Sequence, residues 1–334
     1  SKGGFLWCEQ HFVAQHNFPN TRHHRPVSFN DWKMINRILL NSSDPKVQQR
    51  EYDRNLLLEL RDGSIRAGKA LQRVKQIDHV MAVIGFVAPS GNGKSLIIRA
   101  LTRGDENSPI PGNQCDGRST TSDLHGFFHN LGIAEDSART TPVLLVDSEG
   151  LRGTPAIQFS GELSEKDLKH RKVLIAKVYP RLLYMFSDVL CFPFVNSERS
   201  VDSYMDDLVS MSRLGCVGLS NARKPALVII FNKKSIQECP RETLFFSCPR
   251  SEEDKYVAFT NSTRDWNESH PGRVSELANY FREVYVVYLP DFRNSVAIAQ
   301  KQLEKLRELL IDLSEESIRD KQQNPGLYNG RALM

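Results

Sequence analysis

The stretch Ala88-Pro89-Ser90-Gly91-Asn92-Gly93-Lys94-Ser95 decides how the rest of the chain is read. It follows an apolar run over residues 79–87 and leads into Leu96-Ile97-Ile98-Arg99-Ala100-Leu101. A buried strand, a loop of small residues and a helix therefore succeed one another, which is the setting of a phosphate-cradling P-loop. The cradle is assigned to Ser90, Gly91, Asn92, Gly93, Lys94, Ser95 and Leu96. Backbone N–H groups of residues 90–95 converge on a β-phosphate, alongside the positive end of the helix dipole. Lys94 then reaches the β- and γ-phosphates, and the Ser95 hydroxyl ligates Mg²⁺. Ala88 stands where the pattern usually opens with glycine, and one methyl is accommodated there.

A second signal lies further along, in Val143-Leu144-Leu145-Val146-Asp147-Ser148-Glu149-Gly150. An apolar strand ends in Asp147, which can hold Mg²⁺ through water. The Gly150 N–H can bond the γ-phosphate and couple its loss to movement of residues 151–170, a polar loop read as a second switch. Between the two motifs, Arg118-Ser119-Thr120-Thr121 precedes a strand beginning near Leu124. A threonine there completes the metal sphere when the γ-phosphate is present. Thr120 and Thr121 are both placed for it, and Thr121 is preferred.

Base recognition has two candidates. The strand Ala226–Phe231 runs into Asn232-Lys233-Lys234-Ser235, where a guanine-reading motif would carry Asp in place of Ser235. Losing that carboxylate weakens discrimination against adenine. The alternative is Arg264-Asp265, after the short apolar run at residues 256–259. Asn232 and Lys233 are preferred because they end a core strand.

Residues 1–75 read as an irregular and then helical extension, with a leucine-rich helical pattern over 44–75 broken near Asp62-Gly63-Ser64. Cys8 and His11, with His16 and His23 nearby, are zinc-ligand types at a spacing no standard module uses. A P-loop domain is expected over residues 76–295, with helices at 171–187 and around 200–214 and a last strand or helix end at 284–289. A C-terminal helix is expected within 296–334, its apolar stripe packing on the domain. The fold class is thus α/β: a doubly wound, mostly parallel sheet with helical extensions at both ends.

Composition narrows the partners. A net charge of +4 is too small to argue for nucleic acid, and leaves room for an acidic membrane surface without requiring one. Six cysteines with no paired framework, beside a P-loop, read as reduced thiols in a cytoplasmic protein. The longest apolar stretch, residues 182–195, is interrupted by Ser187 and Asp188 and is too short to span a bilayer.

Taken together, the P-loop, the threonine-rich segment and Asp147-Ser148-Glu149-Gly150-Leu151 resemble the G domains of the dynamin superfamily. The guanylate-binding protein and atlastin branch is nearest, because D-x-E-G-L is its form of the third motif. The strand and helix order that follows is also similar to the nucleotide domain of double-FYVE-domain omegasome proteins, which are expected to prefer ATP. The resemblance implies nucleotide at the carboxyl ends of the strands and nucleotide-dependent homodimerisation across that face. It further implies Mg²⁺-dependent hydrolysis of GTP, or of ATP on the same fold, in a cytoplasmic protein with a protein partner or a membrane surface. Gly91 stands where that branch carries an arginine in its P-loop. Leu151 stands where small GTPases use glutamine to orient water, so hydrolysis is expected to be slow or to rely on backbone and hydroxyl groups such as Thr121 and Ser90. Arg118 has the spacing from Thr121 of a cis arginine finger, and a solvated loop arginine fits it equally well.

Overall fold

The computed structural model describes residues 50, 52–61, 64–77, 79–110, 121–132, 140–151, 164–195, 201–216, 224–234, 273–290 and 296–324. The strands are β1 (Leu56–Arg61), β2 (Ser64–Ala67), β3 (Ala82–Phe86), β4 (Leu124–Gly132), β5 (Thr140–Ser148), β6 (Val189–Val195), β7 (Ala226–Lys234) and β8 (Val284–Pro290). They form one sheet in the order β2-β1-β4-β5-β3-β6-β7-β8. From β5 across to β8 all neighbours are parallel, whereas β4, β1 and β2 join by antiparallel pairing. This is a doubly wound, mostly parallel α/β sheet.

Strand side chains alternate between the two faces, and both faces are buried. Leu190, Phe192, Leu227, Ile229, Leu144 and Val146 enter one core. Their neighbours Val189, Cys191, Ala226, Val228, Val143 and Leu145 enter the other. The first core is closed by helices α4 (Tyr179–Phe186), α5 (Val201–Gly215) and α6 (Arg273–Tyr280) and receives Ala70 from α1 (Lys69–Val74), while the polar α3 (Glu165–Val173) buries Arg171. A π-type turn at Leu174–Val178 joins α3 to α4. The second core is closed by α2 (Lys94–Leu101) and the 28-residue α7 (Val296–Gln323). Leu303, Leu306, Leu310 and Leu313 of α7 are buried there, so the apolar stripe packs on the domain as its spacing implies.

Two sequence expectations change. The leucine-rich segment is not helical through residue 75: β1 and β2 occupy 56–61 and 64–67 and lengthen the sheet at its antiparallel edge. Only Asp62 and Gly63 separate them, and Asp-Gly is the dipeptide a two-residue hairpin favours. The backbone of β1 pairs with β2 on one side and β4 on the other, which is why a strand wins over the helical pattern, and Leu57 and Leu60 still reach the first core. Second, the loop expected over 151–170 is shorter, because α3 begins at Glu165 with Ser164 as its N-cap, accepting from the Asp167 N–H.

The chain leaves β3 to build β4 and β5 on one side, then crosses to build β6, β7 and β8 on the other. The carboxyl end of β3 is therefore the point where the winding reverses, which is where open sheets of this kind offer a crevice to ligands.

Candidate functional site

The loop after β3 occupies that crevice. Gly91 and Gly93 have φ of +80° and +84°, a left-handed backbone that glycine adopts at little cost. Gly93 caps α2, turning the chain so that Lys94 and Ser95 open the helix. A Cβ on Gly93 would also fall 2.5 Å from the Asn232 side-chain nitrogen, so glycine is required twice over.

The loop is held from three sides. Asn92 accepts from the Val195 N–H at the end of β6 (2.6 Å) and donates to the Pro89 carbonyl (3.1 Å). Asn232, buried near the end of β7, donates to the Asn92 carbonyl at 2.9 Å. On the β5 side, Leu151 donates to the Ala88 carbonyl and accepts from the Ser90 N–H, and Pro89 and Leu151 form an isolated bridge. Gly150 lies so close that a Cβ there would sit 2.5 Å from the Ser90 Cα. The Ser90 and Asn92 N–H groups are thus engaged within the protein, the latter with the Pro89 carbonyl. Of the N–H groups expected to face a phosphate, those of Gly91, Gly93, Lys94 and Ser95 remain, with Leu96 one step into the helix.

Four polar side chains meet beside the loop. Ser95 donates to Asp147 Oδ2 at 2.6 Å, Thr121 donates to the same oxygen at 2.7 Å, and the two hydroxyls are 3.1 Å apart. The expected metal-binding trio of Ser95, Thr121 and Asp147 is therefore one contact group. Asp147 Oδ1 is buried with no hydrogen-bond partner, an oxygen that ordinarily finds a donor or a cation. Lys94 is buried, and its ammonium reaches the Ala88 carbonyl at 3.3 Å. Burial pushes the Lys94 pKa down, against the pull of Asp147 and Glu149. An anion arriving at the loop would offset that burial penalty. His125 pairs with Asp147 in register across the β4–β5 ladder, and burial lowers its pKa despite Asp147 and Asp123 nearby.

Behind this group stands a second cluster that the sequence reading missed. Arg171, from the polar helix α3, is 1% exposed and bridges Asp123 (3.1 Å) and Glu149. Asp123 also accepts from the hydroxyls of Tyr179 (3.0 Å) and Tyr52 (2.9 Å) and from the Leu60 N–H (3.2 Å). The Tyr52 ring lies 4.8 Å from that of His125. Glu149 stands inside the D-x-E-G-L motif and was legible as a motif position without a role; Arg171 carries no local signal at all.

Among the candidates, Asn232 braces the loop through its amide, a different task from the base contact assigned to it. The backbone of Lys233 continues β7. Arg118, Thr120, Ser235, Arg264, Asp265, Cys8, His11, His16 and His23 lie outside the described residues. Among the described residues no group of His, Cys, Asp and Glu is arranged to hold a metal by itself, and no helix is long and apolar enough to cross a membrane.

No protein-family model and no curated protein sequence matches the chain. Solved structures similar to it include a point variant of SsGBP, 14% identical, covering 84% of this chain and 67% of that one at a TM-score of 0.35. Era, solved with MgGDPNP and a segment of 16S ribosomal RNA, is 15% identical over 71% of this chain and 58% of its own, also at 0.35. The bacterial selenocysteine-specific elongation factor EF-Sec is 12% identical over 70% of this chain and 28% of its own, again at 0.35. Large parts of Era and EF-Sec therefore have no counterpart in this chain.

Proposed function

We propose that the crevice binds a nucleoside triphosphate with Mg²⁺ and hydrolyses it slowly, GTP being preferred and ATP the alternative. The observation that carries this is the Ser95–Thr121–Asp147 group, with the partnerless Asp147 Oδ1, beside a buried Lys94 at the reversal point of the sheet. A carboxylate oxygen with no donor, two hydroxyls and a glycine-shaped loop fit a hydrated Mg²⁺ on a phosphate chain. Ser95 and Thr121 would hold the ion directly and Asp147 through water, and the ion would neutralise charge on the β- and γ-phosphate oxygens.

The chain's own groups do the rest. The N–H groups of Gly91, Gly93, Lys94 and Ser95, aimed by the glycine backbone and the start of α2, donate to phosphate oxygens. Lys94, whose ammonium already lies along the loop at the Ala88 carbonyl, neutralises the chain where charge develops. Thr121 joins the group through Ser95 and Asp147, and a γ-phosphate on the same metal ion would give its segment a further tie, so that segment senses whether the γ-phosphate is present.

A slow rate follows from Leu151. Its side chain is buried and its N–H and C=O are both bonded to the loop, so no polar group at that place orients a water. That favours, as a second reading, a nucleotide-gated interaction protein in which binding matters more than turnover. Nucleotide-dependent homodimerisation across this face, a dynamin-like role in the guanylate-binding protein and atlastin manner, and a cytoplasmic site of action at a protein or membrane partner belong to the same proposal.

Titrating the chain with labelled GTP and ATP analogues, with and without Mg²⁺, tests it. Binding should need Mg²⁺ and be lost in Lys94→Ala; equal binding by that variant would end the proposal. Turnover measured over a protein concentration series separates the two readings, since dimer-driven hydrolysis rises with concentration and a gated scaffold stays slow throughout.

A further inference from the structure

Directly behind the phosphate-facing groups, two loops of the proposed site share a single cation. Asp123 lies two residues after Thr121, and Glu149 immediately precedes Gly150. One arm of the Arg171 guanidinium meets Asp123 Oδ1 at 3.1 Å and the other meets Glu149 Oε2. The backbones are cross-stitched at the same place, with the Glu149 N–H on the Asp123 carbonyl (2.9 Å) and the Asp123 N–H on Glu149 Oε2 (3.1 Å). All three side chains are at most 3% exposed.

In so dry a place two neighbouring carboxylates repel, and each is expensive to keep charged alone. Burial alone lowers the Arg171 pKa, but Asp123 and Glu149 outweigh it and hold the pKa above its ordinary value. The guanidinium therefore stays charged and fixes the spacing of the two loops. Asp123 has a φ of +66°, a left-handed backbone uncommon for a residue with a side chain. Such a conformation persists where the surroundings over-determine it, and here the Leu60 N–H, Tyr52, Tyr179 and Arg171 all converge on that carboxylate.

We propose that Arg171 is a positioning residue that sets Thr121 and Gly150 at one fixed separation, so that a γ-phosphate can engage both together. It touches neither phosphate nor metal and acts through Asp123 and Glu149. The proposal rests on the reading of the crevice as a nucleotide site. It separates two binding modes: a diphosphate is held by the loop after β3 alone, whereas a triphosphate also needs the two loops that Arg171 joins.

The test compares affinities of the full chain for a non-hydrolysable triphosphate with Mg²⁺ and for the matching diphosphate, using whichever of guanine and adenine the wild type binds more tightly. Arg171→Met should weaken triphosphate binding roughly 10- to 100-fold and leave diphosphate binding within about twofold, one to two tenfold steps in the equilibrium. Arg171→Lys, which keeps the charge and loses the fork, should fall between them. If Arg171→Met does not fold, Arg171→Lys decides by the same ratio. A triphosphate-to-diphosphate ratio unchanged in the folded variants overturns the proposal, and so does an equal loss for both ligands, which would make Arg171 a structural support only. A wild type that binds neither ligand removes the nucleotide reading itself, an outcome distinct from both.

Discussion

Two polar groups lie near the start of β4 and the end of β5, and they are built in opposite ways. In the forward group, Asp147 has one oxygen shared by two hydroxyls and the other with no donor, and Lys94 reaches a single carbonyl at 3.3 Å. In the rear group, Asp123 takes Arg171, two tyrosine hydroxyls and a backbone N–H, while Glu149 takes Arg171 and the Asp123 N–H. An unfinished group has capacity left for a ligand. A finished one is a strut, and disturbing it costs stability.

The sharpest way to break that contrast is to open the finished group. Arg171→Met leaves two buried carboxylates without their cation and should lower unfolding free energy by about 3–5 kcal/mol, measured by urea denaturation. Next comes Gly93→Ala, which forces a left-handed alanine against the Asn232 amide. It should cost about 2 kcal/mol by the same measurement and weaken nucleotide binding. A smaller effect tests the boundary between the groups, at His125. Burial depresses its folded pKa below the ordinary value of 6.5, so below that pH the unfolded chain binds a proton that the folded chain does not. Stability should therefore fall as pH drops from 6.5 toward the folded pKa, and His125→Phe should make that slope shallower. His129, also depressed by burial, leaves a remainder of the same sign. The smallest change is expected at the unfinished group. Asp147→Asn removes a charge with one unsatisfied oxygen, and stability without nucleotide should stay within about 1 kcal/mol of wild type while Mg²⁺-dependent binding is lost. A large loss of stability there would show that the forward group is a strut as well.

The same contrast explains what could be read in advance. Strands β3, β5, β6, β7 and β8 are buried on both faces, so each is a continuous apolar run that stands out locally. At the other edge, β2 is exposed along its whole length, and β1 reads as leucines among charges, which fits a helix as well as a strand. The forward group was legible because Lys94, Ser95 and Asp147 belong to short motifs, each at the end of an apolar strand or the start of a helix. The rear group was not, because Arg171 finds its partners in Asp123 and Glu149, far away along the chain, from within a helix whose sequence is almost wholly polar. Asn232 shows an intermediate case: its motif was visible, but its amide serves the loop, a contact only the folded chain reveals.

Arg307 of α7 carries a further consequence. Its guanidinium donates to the Leu101 and Ala100 carbonyls that end α2, and Arg103 reaches Glu304 one turn away. Further along α7, Lys321 is tied to Asp188 and to the Met81 carbonyl. Any displacement of α2 is therefore received by α7 near its middle, while Lys321 holds α7 toward its end. The two helices on this face of the sheet are thus coupled by charged contacts as well as by the apolar packing they share.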